Sequence, residues 1–222
     1  MKLAIATVPR TPGYLSKTLE SLEASGFRKD IHLFLGRPDQ DYLQLLHGLT
    51  GIYVHDITGA QWNEIKGFRD FQKYVGNFVR ILEAFDEDLF IAEDDVLFHP
   101  RWQEELDILR TKRPRKLISL YSAADYSGEK RFVEKHHFYG TCGIFYPNHH
   151  RRALATLLRK RLSPDVISVD DLINEYLKDN REIIVISTPS WIDHLGESSS
   201  IQENRGHGLR RAPTFNGDSG KT

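Results

Sequence analysis

The stretch DLFIAEDDVLFHPRW, residues 88–102, decides how the chain is read. Phe90, Ile91 and Ala92 have the character of a buried strand reaching its end, and Val96, Leu97 and Phe98 resume that character. Between them stand three consecutive carboxylates, Glu93, Asp94 and Asp95. Burying three unpaired carboxylates is prohibitively costly, so they must be solvated, paired with basic groups or bound to a cation. In open α/β sheets, ligands gather outside the carboxyl ends of the strands. Acids at such an end therefore face a ligand crevice rather than the core. A polar turn after a strand is the commoner explanation of such a triplet. The apolar residues close on both sides leave little room for an exposed loop.

Working outward, short apolar runs alternate with helical patterns. KLAIATV (2–8), DIHLFLG (30–36), GIYVHDI (51–57) and DLFIA (88–92) read as strands. Leu15, Leu19 and Leu22 recur at helical spacing, with Ser16 near the start and Gly26 at the end; residues 40–49 suit a short helix. In FQKYVGNFVRILEAF (71–85), Tyr74, Phe78, Ile81, Leu82 and Phe85 form one stripe. The βαβαβαβ order predicts a largely parallel sheet covered by helices on both faces. Beyond residue 100, KLISLYSA, FYGTCGIFY and EIIVISTPS read as strands, and HHRRALATLLRKRL and VDDLINEYLKD as helices. The expectation is one α/β domain with a mixed central sheet over residues 1–202. Residues 1–100 form its nucleotide-binding half, 101–202 its acceptor and catalytic half, and 203–222 a flexible tail.

With 222 residues the chain can bury one substantial core. Its composition, 40% hydrophobic and 27% charged, is that of a soluble globular protein. No apolar run approaches the roughly 18–20 residues that cross a bilayer, so no transmembrane segment is expected. The first residues read as a buried strand rather than a signal peptide. A lone cysteine, Cys142, excludes an intrachain disulfide and fits a reducing, cytoplasmic setting. Cys142 lacks a cysteine-protease signature and reads as a small filler. A net charge of −1 excludes a uniformly basic nucleic-acid binder. Basic runs at residues 110–116, 151–161 and 205–211 nonetheless leave a polyanionic partner open.

IAEDDVLFHPRW resembles the metal-binding acidic motif of nucleotide-sugar glycosyltransferases of the GT-A fold. Its EDDV-L-F form is most similar to family 25, the lipopolysaccharide and collagen galactosyltransferases. Three further stretches match in order: LAIATVPRTPGYLSKTLESL with the first strand, loop and helix of that fold; YGTCGIFYPNHHRRAL with a G-T-x-G-Y strand; and ISVDDLINEYL with the opening of the helix carrying the catalytic acid. The resemblance spans roughly residues 2–201 and implies sugar transfer from a UDP-sugar to an acceptor hydroxyl, with inversion and with Mn²⁺ or Mg²⁺. Compact phage enzymes that glycosylate hydroxymethylated pyrimidines in DNA, some associated with TET-type oxygenases, are similar in size.

The resemblance makes Asp95 the direct metal ligand, with Glu93 facing the donor and Asp94 assisting. His194 is a candidate second ligand, although a loop histidine satisfied by a neighbour is equally common. For the base, the last acid of an acidic pair points to Asp171, the expected choice; strict matching to family 25 points to Asp170. Either acid could instead cap the helix. Donor contacts are expected from Thr7, Pro9 and Arg10 in the first loop, from Asn77 and Arg80 one helical turn apart, and from Gly140, Thr141 and Gly143. Glycines in a strand often mark close approach of a ligand or a second backbone. His136, His137, His149 and His150 lack carboxylates at ligand spacing and are expected at the surface or the acceptor site. The acceptor is read as a lipopolysaccharide-like glycan or 5-hydroxymethylpyrimidine in DNA. The other readings are a nucleotidyltransferase acting on a sugar phosphate, for which TVPRTPGY is a poor phosphate loop, and a non-catalytic nucleic-acid-binding module, which leaves the acids unexplained.

Overall fold

The computed structural model describes residues 1–9, 13–124, 131–163, 168–195 and 211–215, with the side chains of residues 70 and 71 excepted. In chain order its elements are β1 (Lys2–Thr7), α1 (Leu15–Ala24), β2 (Ile31–Leu35), α2 (Gln40–His47), β3 (Ile52–His55), α3 (Gly59–Ile65), α4 (Asp70–Glu83), β4 (Leu89–Glu93) and β5 (Val96–Phe98). There follow α5 (Trp102–Lys112), β6 (Leu117–Ser119), β7 (Phe132–Lys135), β8 (Gly143–Tyr146), α6 (Asn148–Arg161), α7 (Val169–Asp179), β9 (Ile184–Ser187) and β10 (Ile192–His194).

Eight strands form one sheet in the order β3-β2-β1-β4-β8-β6-β9-β7. Strands β1 to β4 are mutually parallel. Strand β8 runs antiparallel to both β4 and β6, which makes the sheet mixed rather than largely parallel. Because β8 reverses, its beginning lies beside the end of β4: Ala92 faces Gly143, and the Glu93 amide donates to the Cys142 carbonyl. A separate antiparallel pair, β5 with β10, sets His194 opposite Val96, immediately after the acidic triplet.

Two cores follow from the strand alternation. On one face, Val75, Phe78, Val79, Ile81 and Leu82 of α4 pack over Ala4, Ile91 and Tyr146, joined by Leu172, Ile173 and Tyr176 of α7. On the other, Trp102 and Leu106 of α5 and Leu22 of α1 cover Leu3, Ile5, Leu33 and Phe90. Trp102 is wholly buried beside Phe27, Phe90 and Phe98, and its Nε1 donates to Ser25 Oγ.

Helices α3 and α5 and strand β7 go beyond the elements expected from the sequence. Helix α3 buries only Ile65 and is held at its start by a Thr58–Gln61 capping box. The expected strand at residues 138–146 regularises only from Gly143, because Gly140 adopts φ +93° and turns the chain before it. Part of the stretch expected to be a flexible tail is docked: Ala212 is buried, its amide donates to Asp193 Oδ1 at 2.7 Å, and Arg211 pairs with Asp193 Oδ2. Residues 203–210 and 216–222 lie outside the described residues. Among the described residues, no helix is long and apolar enough to cross a membrane.

Candidate active site

The acidic triplet sits where β4 ends and β5 begins, and its three carboxylates have three different environments. Asp94 is buried and points back to β1, where Thr7 Oγ1 donates to its Oδ2 at 2.6 Å and the Val8 amide at 3.3 Å. Its carbonyl accepts from Thr18 Oγ1, so Asp94 ties β4 to the first loop and to α1. A carboxylate holding two donors in this way is an anchor of the strand end.

Glu93 and Asp95 face a different cluster. Glu93 Oε1 accepts from Thr141 Oγ1 at 2.7 Å and from the Tyr74 hydroxyl at 3.0 Å. These two hydroxyls fix one oxygen and leave Oε2 toward His194, 4.0 Å from Nε2. His194 Nε2 lies 3.2 Å from Asp95 Oδ2, and both residues are buried. Burial raises the Glu93 pKa above its ordinary value, and the adjacent Asp95 charge raises it further. Burial also holds the Tyr74 hydroxyl well above its ordinary pKa, with the Glu93 charge adding to the shift, so it remains a donor.

Cys142 joins this cluster. Ligand atoms of Glu93, Cys142 and His194 all lie within 4.8 Å of one another. The donor set of carboxylate, imidazole and thiol, with Asp95 adjoining, fits a divalent cation of borderline hardness. Cys142 packs in the core as the sequence reading of a filler expects, and its proximity to Glu93 and His194 comes from the β4–β8 and β5–β10 pairings and from no local spacing.

The acidic pair on α7 separates in the same way. Ser168 caps the helix, accepting from the Asp171 amide, and its hydroxyl donates to Asp171 Oδ2 at 2.6 Å. Asp171 is exposed and occupied with this cap. Asp170 is half-buried and accepts the Gly140 amide at 3.2 Å on Oδ2. After burial, the charges of Asp170 and Glu93 both raise the Tyr146 pKa. Asp170 meets the turn at Gly140, and Asp171 is bonded to its cap.

The remaining expected donor contacts divide. Thr7 is buried, bonded to Asp94 and within 2.8 Å of the Tyr42 hydroxyl. The Pro9 carbonyl accepts from Arg37 Nη2, and Arg10 lies outside the described residues. Asn77 donates to the Phe34 carbonyl, while Arg80 donates to the carbonyls of Leu35 and Asp56 and to Asn77 Oδ1. That pair ties together the ends of β2 and β3. Arg80 also lines an open cleft of about 540 Å³ with Phe34, His55 and Ile65, bordered by α3, α4 and the end of α6.

A Cβ at Gly143 would collide with Ile192 Cδ1 and lie 3.3 Å from the Phe90 ring, so the residue sits in core packing of β8 against β10. A Cβ at Gly140 would meet the Tyr121 ring at 2.9 Å. His150, expected at the surface or the acceptor site, is buried between the Tyr176 hydroxyl and the Arg115 carbonyl, both 2.8 Å away; His149 is exposed.

The chain matches residues 1–349 of TarS from S. aureus with a TM-score of 0.55 at 12% identity, over 86% of this chain and 60% of that one. The fold is that of GT-A glycosyltransferases. The likeness to TarS, itself a glycosyltransferase, is one of fold, and this chain spans less than two thirds of that structure's length. No protein-family model and no curated protein matches the sequence.

The basic runs are largely neutralised at the surface. Arg110 pairs with Asp88, Lys116 with Glu182, Arg113 with Glu134, Arg152 with Asp86, Arg159 with Glu83 and Arg161 with Glu175. Of the third run only Arg211 is described, and it pairs with Asp193.

Proposed function

We propose that the protein is an inverting, cation-dependent glycosyltransferase that moves a sugar from a UDP-sugar to an acceptor hydroxyl. The observation that carries this reading is the approach of Glu93 and Asp95 to His194 at the end of β4 in a GT-A fold. Asp95, Glu93 and His194 would hold the cation, which would neutralise the diphosphate as it departs.

This chain's own residues supply the rest. Thr141 and Tyr74 hold Glu93 in one orientation, so the cluster is preorganised. The Gly140 amide occupies Asp170 Oδ2 and leaves Oδ1 to take a proton from an acceptor hydroxyl. As that proton moves to Asp170, the hydroxyl oxygen bonds to the anomeric carbon and the bond from that carbon to the diphosphate oxygen breaks. Attack from the face opposite the leaving group inverts the configuration.

A glycan-type hydroxyl suits the acceptor side. A DNA acceptor gains no support from the charge layout, because among the described residues most of the cationic side chains in the basic runs pair with neighbouring acids.

The test is release of nucleoside diphosphate from a panel of UDP-sugars, with divalent cation or EDTA, in wild type and Asp95→Ala. Cation-dependent UDP release that the substitution abolishes is the expected result. Release of pyrophosphate from a sugar phosphate and a nucleoside triphosphate would mean a nucleotidyltransferase instead.

A further inference from the structure

We propose that Cys142 is a ligand of the cation centre and makes it a thiophilic site, one that prefers Zn²⁺ and Co²⁺ over Mg²⁺. The inference rests on the cation reading of the cluster given above. Three elements deliver the donors. Glu93 and Asp95 come from the end of β4 and the turn after it, His194 from β10, and Cys142 from the residue preceding β8. The Glu93 amide bonds the Cys142 carbonyl at 3.3 Å, so the sulfur is carried to the cluster by strand pairing rather than by a mobile loop.

Glu93, Cys142 and His194 are grouped closely enough for one ion, with Asp95 adjoining through His194. Donors bound to a common cation at about 2.0–2.3 Å can stand no more than about 4.0–4.4 Å apart. His194 Nε2 is 3.2 Å from Asp95 Oδ2 and 4.0 Å from Glu93 Oε2. Ligand atoms of Glu93, Cys142 and His194 all lie within 4.8 Å of one another, near the upper end of that span. Cys142 and His194 are both buried, at 4% and 9% exposure, so an ion there is shielded from bulk water.

Donor chemistry then sets selectivity. Mg²⁺ takes oxygen ligands in near-ideal octahedral geometry and gains little from sulfur or imidazole. A thiolate with an imidazole and carboxylates suits Zn²⁺ and Co²⁺, which stand above Mn²⁺ in intrinsic affinity. Binding replaces the thiol S–H with a metal–sulfur bond and releases the proton to solvent.

Anaerobic titration of the reduced, metal-free protein with Co²⁺ provides the test. A thiolate bound to Co²⁺ gives a near-ultraviolet charge-transfer absorption that oxygen and nitrogen ligands lack. Cys142 is the only cysteine in the chain, so any such band identifies it without a variant. The expected result is a band that saturates at one equivalent and is absent in Cys142→Ser. That variant should lose at least about tenfold in Zn²⁺ affinity while Mg²⁺ affinity holds within about threefold. Stoichiometric Co²⁺ binding without the band would overturn the role of Cys142 and leave the oxygen–nitrogen centre standing. No binding of Co²⁺, Zn²⁺ or Mn²⁺ at all, in protein that melts cooperatively, would overturn the centre itself.

Discussion

Asp170 accepts the Gly140 amide at 3.2 Å, and the neighbouring Asp171 is instead bonded to the cap residue Ser168 at 2.6 Å. Two adjacent acids at one helix start thus have distinct environments, separated by which side of the helix meets the turn at residue 140. Asp170→Asn should reduce transfer by roughly 10²–10⁴-fold while leaving UDP affinity intact. Asp171→Asn should alter the rate only a few-fold, as expected for an exposed cap contact. Steady-state rates and UDP titrations of both variants decide it; the reverse ranking would return the base to Asp171.

The Thr7–Asp94 bond is a matter of stability. Thr7→Val leaves a buried carboxylate short of its 2.6 Å donor, which costs about 1–3 kcal/mol in denaturant unfolding. Thr7→Ser keeps the hydroxyl and should recover most of the loss. Equal stability of the Val and Ser variants would show that the hydroxyl is dispensable.

Gly143→Ala should destabilise by about 1–3 kcal/mol through collision with Ile192, without raising the donor KM of the folded protein. Removing the colliding methyl with Ile192→Val should make the double variant less costly than the sum of the two single changes. Strict additivity would contradict the packing role.

Two buried histidines set the acid limb of stability. Burial is the first cause that lowers His32 and His150, each to about 4; His55 lowers His32 further and His149 lowers His150. Folded-state pKa values below the unfolded value near 6.5 mean that the unfolded chain binds more protons in this range. Their contribution is present above pH 6.5 and is lost as pH falls toward 4. With allowance for partial solvation, Tm should drop by roughly 4–8 °C between pH 7 and pH 5. The His32→Gln variant should show a shallower slope over the same range. A Tm that is flat or rising toward pH 5 would contradict it.

Much of this architecture is legible in the sequence because it is local. The apolar runs that become β1, β2, β4 and β9, and the stripes of α4 and α7, carry their own periodicity, and the acidic triplet marks the end of β4. What stays hidden depends on pairings between distant residues. Nothing near Thr141 predicts that its hydroxyl fixes Glu93, 48 positions earlier, and nothing near Cys142 predicts His194 as a neighbour. Asn77 and Arg80 look like ligand contacts by residue type, yet the ends of β2 and β3 take up their hydrogen bonds. The glycines at 140 and 143 share a motif but not a cause: one turns the backbone and the other admits Ile192.

Cation-bridged binding of a nucleoside diphosphate at Glu93, Asp95 and His194 is tested most directly by calorimetric titration of UDP into metal-loaded protein, into EDTA-treated protein and into Asp95→Asn. Chelation or the substitution should weaken UDP binding by about 10–100-fold, in line with loss of a metal ligand. UDP binding of equal strength in all three samples, or none in the metal-loaded wild type, would contradict it.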